Sequence, residues 1–269
     1  MKKLLYLIVI FATGVGLAVY LTQKPLEKIE DKSDLIKVFN PEPNEKIKTP
    51  LLISGEARGT WFFEASFPIE LLDERGNSLA IVVAQAKDDW MTANFVPFEA
   101  TLDFPPSLSG KGTLIFKKDN PSGLPEFDDE FSLPIVFEPQ ESIKVKAFVN
   151  TSKMDPEFSC NKVFPVEREV VKTEAVARAA LEELLKGPTR KELAEEFFTS
   201  LNPGVKIQRL TVENGTAKVD FDETLQFQVG GSCRVSAIRA QISNTLKQFP
   251  TVEDVVISID NRTEDILQP

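Results

Sequence analysis

The sequence predicts a mainly β half, built as a β-sandwich, followed by an α+β half, both behind one apolar N-terminal helix. Three observations carry this. Between residues 37 and 138, short apolar stretches alternate with turns rich in Pro, Gly and Asn, and no helical period occurs. After Ser142 the pattern changes, and apolar residues recur at steps of three and four. At the N-terminus, Leu4–Leu21 carries no charge.

The apolar segment comes first. At 1.5 Å per residue its 18 residues span roughly 27 Å, enough for a hydrocarbon core. It lacks a good small-residue cleavage site, so an uncleaved anchor fits better than a cleaved signal peptide. Lys2 and Lys3 place the N-terminus in the cytoplasm and the following residues outside. Residues 1–22 are therefore expected to be a transmembrane signal anchor, and 23–36 a polar linker.

Seven strands are expected in 37–138: Ile36–Phe39, Leu51–Ala57, Phe62–Asp73, Leu79–Ala86, Ala93–Leu102, Gly112–Lys118 and Phe131–Phe137. The stretch 139–142 breaks the chain between the two halves. Strands at Ile143–Asn150 and Phe164–Val171 open the second half, which runs to 262 and leaves 263–269 as a tail. Thr173 opens a helix that Gly187-Pro188 stops. Thr189-x-x-Glu192 is a capping box for a short helix to about Phe198. Asn214-Gly215 joins Ile207–Val212 to Thr216–Phe221 as a hairpin. A third helix spans about Arg234 to Gln248, and Asp254–Asp260 is the last strand.

Composition removes whole classes of chemistry. The chain has no histidine, which excludes His-based general acid–base catalysis and His-ligated metals. A net charge of −10 without a basic stripe argues against nucleic acid. No metal site and no cofactor are expected. The acidic run Glu126, Asp128, Asp129, Glu130 lacks calcium-loop spacing and reads as a solvated loop. The enzyme class that remains open is a carboxylate-dependent glycan hydrolase. Its candidates, such as Glu64, Asp73, Asp220 and Asp222, have no recognisable context, so no catalytic residue is assigned and the chain is expected not to be an enzyme.

Two cysteines, Cys160 and Cys233, stand in a chain expected to face an oxidising exterior, and an even count there favours one disulfide. Two unrelated buried thiols remain the alternative. Trp61, Phe63, Ala65 and Phe67 would share one face of a strand, which Trp90 and Phe95 could join. Such a platform can take sugar rings or a peptide, although alternating aromatics also describe an ordinary core. Phe62 would point the other way. Phe62, Trp61 and Trp90 are therefore the candidate binding surface.

Both halves carry a resemblance. Ser54-Gly55-Glu56-Ala57-Arg58-Gly59, Trp61-Phe62-Phe63-Glu64-Ala65, Asp89-Trp90-Met91-Thr92 and Asn120-Pro121-Ser122-Gly123-Leu124-Pro125 resemble the immunoglobulin-like domain called Gmad2. Val166-Glu167-Arg168, Leu184-Leu185-Lys186-Gly187-Pro188-Thr189, Ala217-Lys218-Val219-Asp220-Phe221 and Val255-Val256-Ile257-Ser258-Ile259-Asp260 resemble the GerMN domain of sporulation and spore-germination proteins. The second half also resembles ring-building modules in its helix-strand-strand-helix-strand run. The resemblance implies a non-catalytic, membrane-anchored extracytoplasmic envelope protein that works by binding or assembly. Its partners would be an envelope protein or the cell wall, or further copies in a homo-oligomer or ring. A glycan hydrolase and a solute-binding or adhesive module are the alternatives.

Overall fold

A computed structural model describes residues 31–157 and 159–268. The anchor expected at 1–22 and the linker up to residue 30 lie outside the described residues. Among the described residues, no helix is long and apolar enough to cross a membrane. The chain divides into two compact units. Of the described residues, one unit comprises those up to Lys46 with Leu51–Leu102 and Lys111–Val136; the other comprises Ile47–Pro50, Asp103–Gly110 and those from Phe137 onward.

The first half is built from eight strands: β1 (Ile36–Asn40), β2 (Lys46–Ile47), β3 (Leu51–Arg58), β4 (Ser66–Asp73), β5 (Ser78–Ala86), β6 (Phe95–Leu102), β7 (Gly110–Lys117) and β8 (Glu130–Phe137). They follow the order β1-β3-β6-β5-β4-β7-β8-β2. β5 meets β6 only at Gln85↔Glu99 and Ala86↔Phe98, so the ribbon folds over at that corner. Phe98 of β6 stacks edge-on against Phe67 of β4, with ring centroids 4.9 Å apart. Phe67 meets Phe62 at 5.1 Å, and Phe98 meets Phe116 at 6.2 Å. The large phenylalanine content of the chain thus forms a ladder of rings between layers, an arrangement that adds to simple area burial.

Two expectations fail here. The strand expected from Phe62 starts only at Ser66. Gly59–Trp61 is a 3-10 turn, and Phe63 and Ser66 pair across a two-residue turn with Glu64 at φ 48° and Ala65 at φ 60°. Both residues sit in the left-handed region, as that turn type requires. Residues 32–36, expected as linker, are docked: Arg58 N–H donates to Leu35 O, and its Nε donates to Asp34 O.

In the second half, β9 (Ser142–Thr151) and β10 (Phe164–Val171) form an antiparallel pair from Ser142↔Val171 to Val149↔Phe164. Helix α1 (Val176–Leu185) ends at Gly187, φ 76°. Helix α2 (Arg190–Ala194) carries the expected capping box, with Thr189 and Glu192 each bonding the other's backbone N–H. It stops earlier than expected, because Phe197–Phe198 forms β11 against Asn150 and Thr151. β12 (Ile207–Glu213) and β13 (Thr216–Phe221) form the expected hairpin, with Asn214 at φ 50° and Gly215 at φ 79°. Helix α3 (Ser232–Lys247) then returns the chain so that β14 (Asp254–Ile259) runs parallel to β13.

Helix α3 also does the work of a strand. Lys146 N–H donates to Gln248 Oε1 at 2.8 Å, and Gln248 Nε2 donates to Lys146 O at 2.7 Å. Phe148 N–H donates to Thr245 Oγ1 at 3.0 Å. Side chains from this helical segment therefore satisfy an edge of β9 that would otherwise lack partners. Its apolar positions Val235, Ile238, Ile242 and Leu246 join Val149, Val219 and Phe221 in one core.

Candidate functional site

Three loops meet at one end of the sandwich: 59–65, 87–94 and 118–129. β3, β5 and β7 all finish there, and β4, β6 and β8 all begin there. The first loop is the hub. Asp119 N–H donates to Trp61 O at 3.0 Å, and Gly59 N–H donates to Asn94 O at 3.1 Å. A Cβ on Gly59 would lie 1.9 Å from Thr92 O and 2.3 Å from Trp90 O, so only glycine fits beneath the second loop. Gly55 is equally enclosed, with Lys37 O at 2.3 Å from such a Cβ and the Phe98 ring at 2.6 Å. These approaches give a physical reason for the glycines in the Ser54–Gly59 motif.

The candidate binding surface is not assembled as expected. Trp61 and Phe62 are 1% and 4% exposed and belong to the core, because the 3-10 turn folds them inward. Trp61 Nε1 is buried without a hydrogen-bond partner among the described residues. Trp90 is half-buried on its loop. Phe95 is half-buried with Lys37 Nζ and Arg58 Cζ each 4.0 Å from its ring centroid. The large apolar residues that do face solvent at this end are Phe63, Met91, Leu124 and Phe127. Alternation could not reveal them, since their exposure depends on how the loops stack. Asn120 organises the third loop, donating to Leu124 O at 2.8 Å and to Asp128 Oδ1 at 2.7 Å.

The candidate carboxylates do not converge. Glu64 lies exposed in its tight turn. Asp73 accepts from the N–H groups of Arg75 and Asn77 and from Asn77 Nδ2, each at 2.8 Å. Those bonds, led by the Asn77 side chain, hold its carboxyl below the usual carboxylate range. Buried Asp220 accepts from Ser258 Oγ and Asn261 N–H, which fixes the turn after β14. Asp222 accepts from Lys206 N–H and Thr224 Oγ1. Among the described residues no three ligating side chains gather for a metal.

Cys160 and Cys233 form a disulfide, with Cα atoms 5.0 Å apart. The pairing expected from their even count is present, and it ties segment 152–163 to the first turn of α3. Buried Asn150 holds the same segment from beneath: its Nδ2 donates to Lys162 O at 3.0 Å, and its Oδ1 accepts from Gln241 Nε2 at 2.6 Å. Asp155 closes the segment on itself by accepting from Ser159 N–H and Oγ. The Ser159 backbone bond leads in holding its carboxyl below the ordinary range, against the effect of burial.

Arg168 lies on the core side of β10, 9% exposed. It reaches Glu192 with both terminal nitrogens, Glu183 Oε2 at 3.6 Å and Gly187 O at 3.3 Å. The Val166–Arg168 and Leu184–Thr189 motifs therefore meet through one guanidinium. A shallow depression of about 490 Å³ lies between α1 and the start of β12, lined by Arg178, Glu182, Lys186 and Lys206 among others. Burial works against the charge on Lys186, but hydrogen bonds and attraction from Glu183 and Asp103 outweigh it and raise its pKa. None of these groups makes a nucleophile–base pair.

Residues 35–123 match the family described as the immunoglobulin-like domain of bacterial spore germination, Gmad2. Residues 148–265 match the family described as sporulation and spore germination, Germane. The chain carries a Gmad2 domain followed by a Germane, or GerMN, domain. No curated protein matches it. Among solved structures, the first GerMN domain of the sporulation protein GerM from Bacillus subtilis is similar at 20% identity and a TM-score of 0.35. That match covers 45% of this chain and 85% of that one. The tandem GerMN domains of the same protein match at 21% identity and 0.36, covering 45% and 40%. A putative lipoprotein from Clostridium perfringens matches at 14% and 0.30, covering 45% and 77%.

Proposed function

We propose that this chain is a single-pass, membrane-anchored envelope protein of the sporulation and germination type, with its N-terminus in the cytoplasm and both domains outside. It works by binding or assembly and not by catalysis, with an envelope protein, the cell wall or further copies of itself as partners. The observation that carries this reading is the pairing of Gmad2 and GerMN domains in one chain. The Cys160–Cys233 disulfide supports the compartment, since structural disulfides belong to oxidising surroundings. The uncharged Leu4–Leu21 stretch supports the anchor.

Proximity crosslinking in intact cells, followed by membrane fractionation, tests it. The chain should appear in the membrane fraction, oxidised, and joined to an envelope component or to itself. Recovery from the cytosol with two titratable thiols would overturn the reading. Turnover of purified peptidoglycan, abolished by Glu64→Gln, would replace it with the hydrolase.

A further inference from the structure

We propose that the loop end of the sandwich is a docking surface for a basic peptide segment with apolar anchors, presented by another protein of the envelope. This rests on the binding reading above and names the chemistry of the partner. Phe63 (39% exposed), Met91 (77%), Leu124 (48%) and Phe127 (52%) come from the three loops gathered at that end. Large apolar side chains left in water on loops that share one end mark a contact surface.

Charge selects the partner. Loops 59–65, 87–94 and 118–129 contain seven carboxylates and two lysines; the bordering Lys32, Lys37 and Arg58 are engaged by Asp129, Glu56 and the Asp34 and Ala93 carbonyls, and the end stays acidic. Lys87 is committed to Glu99 at 2.6 Å. Glu64, Asp88, Asp89, Glu126 and Asp128 are exposed, each within three residues of one of the apolar side chains along the chain. An anionic lipid surface would be repelled by this rim, and so would a second copy presenting the same end. A basic segment gains both the rim and the apolar centre. Asn120 and the bonds through Trp61 O already order the loops, so docking costs little rearrangement there.

The test uses the full chain in detergent and a short fluorescein-labelled peptide of alternating lysine and leucine, read by fluorescence polarisation. A glutamate–leucine peptide is the comparison arm. The lysine peptide should bind, and more weakly as salt rises. Met91→Ser with Phe127→Ser should weaken it about tenfold or more. Asp88→Lys with Glu126→Lys should do the same without touching the apolar residues. Val212→Ser, which removes an exposed apolar side chain on β12, should change nothing. The docking surface is overturned by unchanged binding in either double variant, or by equal affinity for the glutamate peptide. Crosslinks that map a partner to 143–269 alone would overturn this surface and leave the envelope reading standing.

Discussion

Glu192 Oε2 receives two donors at once, Arg168 Nη2 at 2.6 Å and the backbone N–H of Thr189 at 2.8 Å. One carboxylate thus closes the cap of α2 and neutralises a guanidinium packed into the core side of β10. The side chains of the pair are only 9% and 13% exposed, so neither charge can fall back on water.

Removing one partner should therefore cost more than losing a cap. Glu192→Ala is expected to destabilise by about 3–5 kcal/mol, measured by urea unfolding. Arg168→Met combined with Glu192→Leu should cost clearly less than the two single changes summed, because no charge is left stranded. Strict additivity would show that the two side chains act independently.

The disulfide and Asn150 hold the same segment from two sides. Cys160→Ser with Cys233→Ser should lower stability by about 2–4 kcal/mol. Asn150→Ala should cost about 1–3 kcal/mol, since it removes the partner of the buried Gln241 amide and of Lys162 O. Hydrogen exchange should speed up in 152–163 in both variants. An effect confined to other segments would refute this account.

Asp155 makes the segment sensitive to acid. Its folded pKa lies below the ordinary aspartate value of 3.8. Its contribution is therefore present above the unfolded value and is lost as pH falls through the depressed folded one. Limited proteolysis with an acid protease should begin to cut 152–163 at a pH below about 4. Asp155→Asn should be cut equally above and below that pH. Wild-type cleavage independent of pH would sink the prediction.

Trp61 and Phe67 are both buried, yet substitution should separate them. Phe67→Ala removes a ring from the middle of the aromatic ladder and should cost about 3–5 kcal/mol. Trp61→Phe loses volume but also removes an unpartnered indole N–H. Its cost should stay within about 1.5 kcal/mol by thermal unfolding. A larger loss would mean that the indole nitrogen has a partner in solution.

What could be read from sequence was local chemistry. Thr189 and Glu192 cap a helix three residues apart, Gly187-Pro188 ends one, and Asn214-Gly215 turns a hairpin. Each needs only its neighbours. The segment Trp61–Ala65 misled because alternating aromatics imitate a strand, whereas Asp119 and Phe67, both distant or across a turn, hold it as a 3-10 turn and hairpin. Phe197 and Phe198 leave the helical path because β9 offers them an edge. The solvent-facing group at the loop end was illegible for the same reason. Nothing adjacent to Met91 or Phe127 says that its loop will be stacked beside another.

The parallel pairing of β13 with β14 has a consequence in time. The two hairpins, β9–β10 and β12–β13, join neighbours along the chain and close small loops. β14 can join only after α3 has formed and crossed over, and parallel pairing of this kind is intrinsically slow. The GerMN half should therefore assemble in two acts, local hairpins first and the β14 edge last. During that interval the flank of β13 that β14 will cover stands open, a strand edge on which another chain can pair.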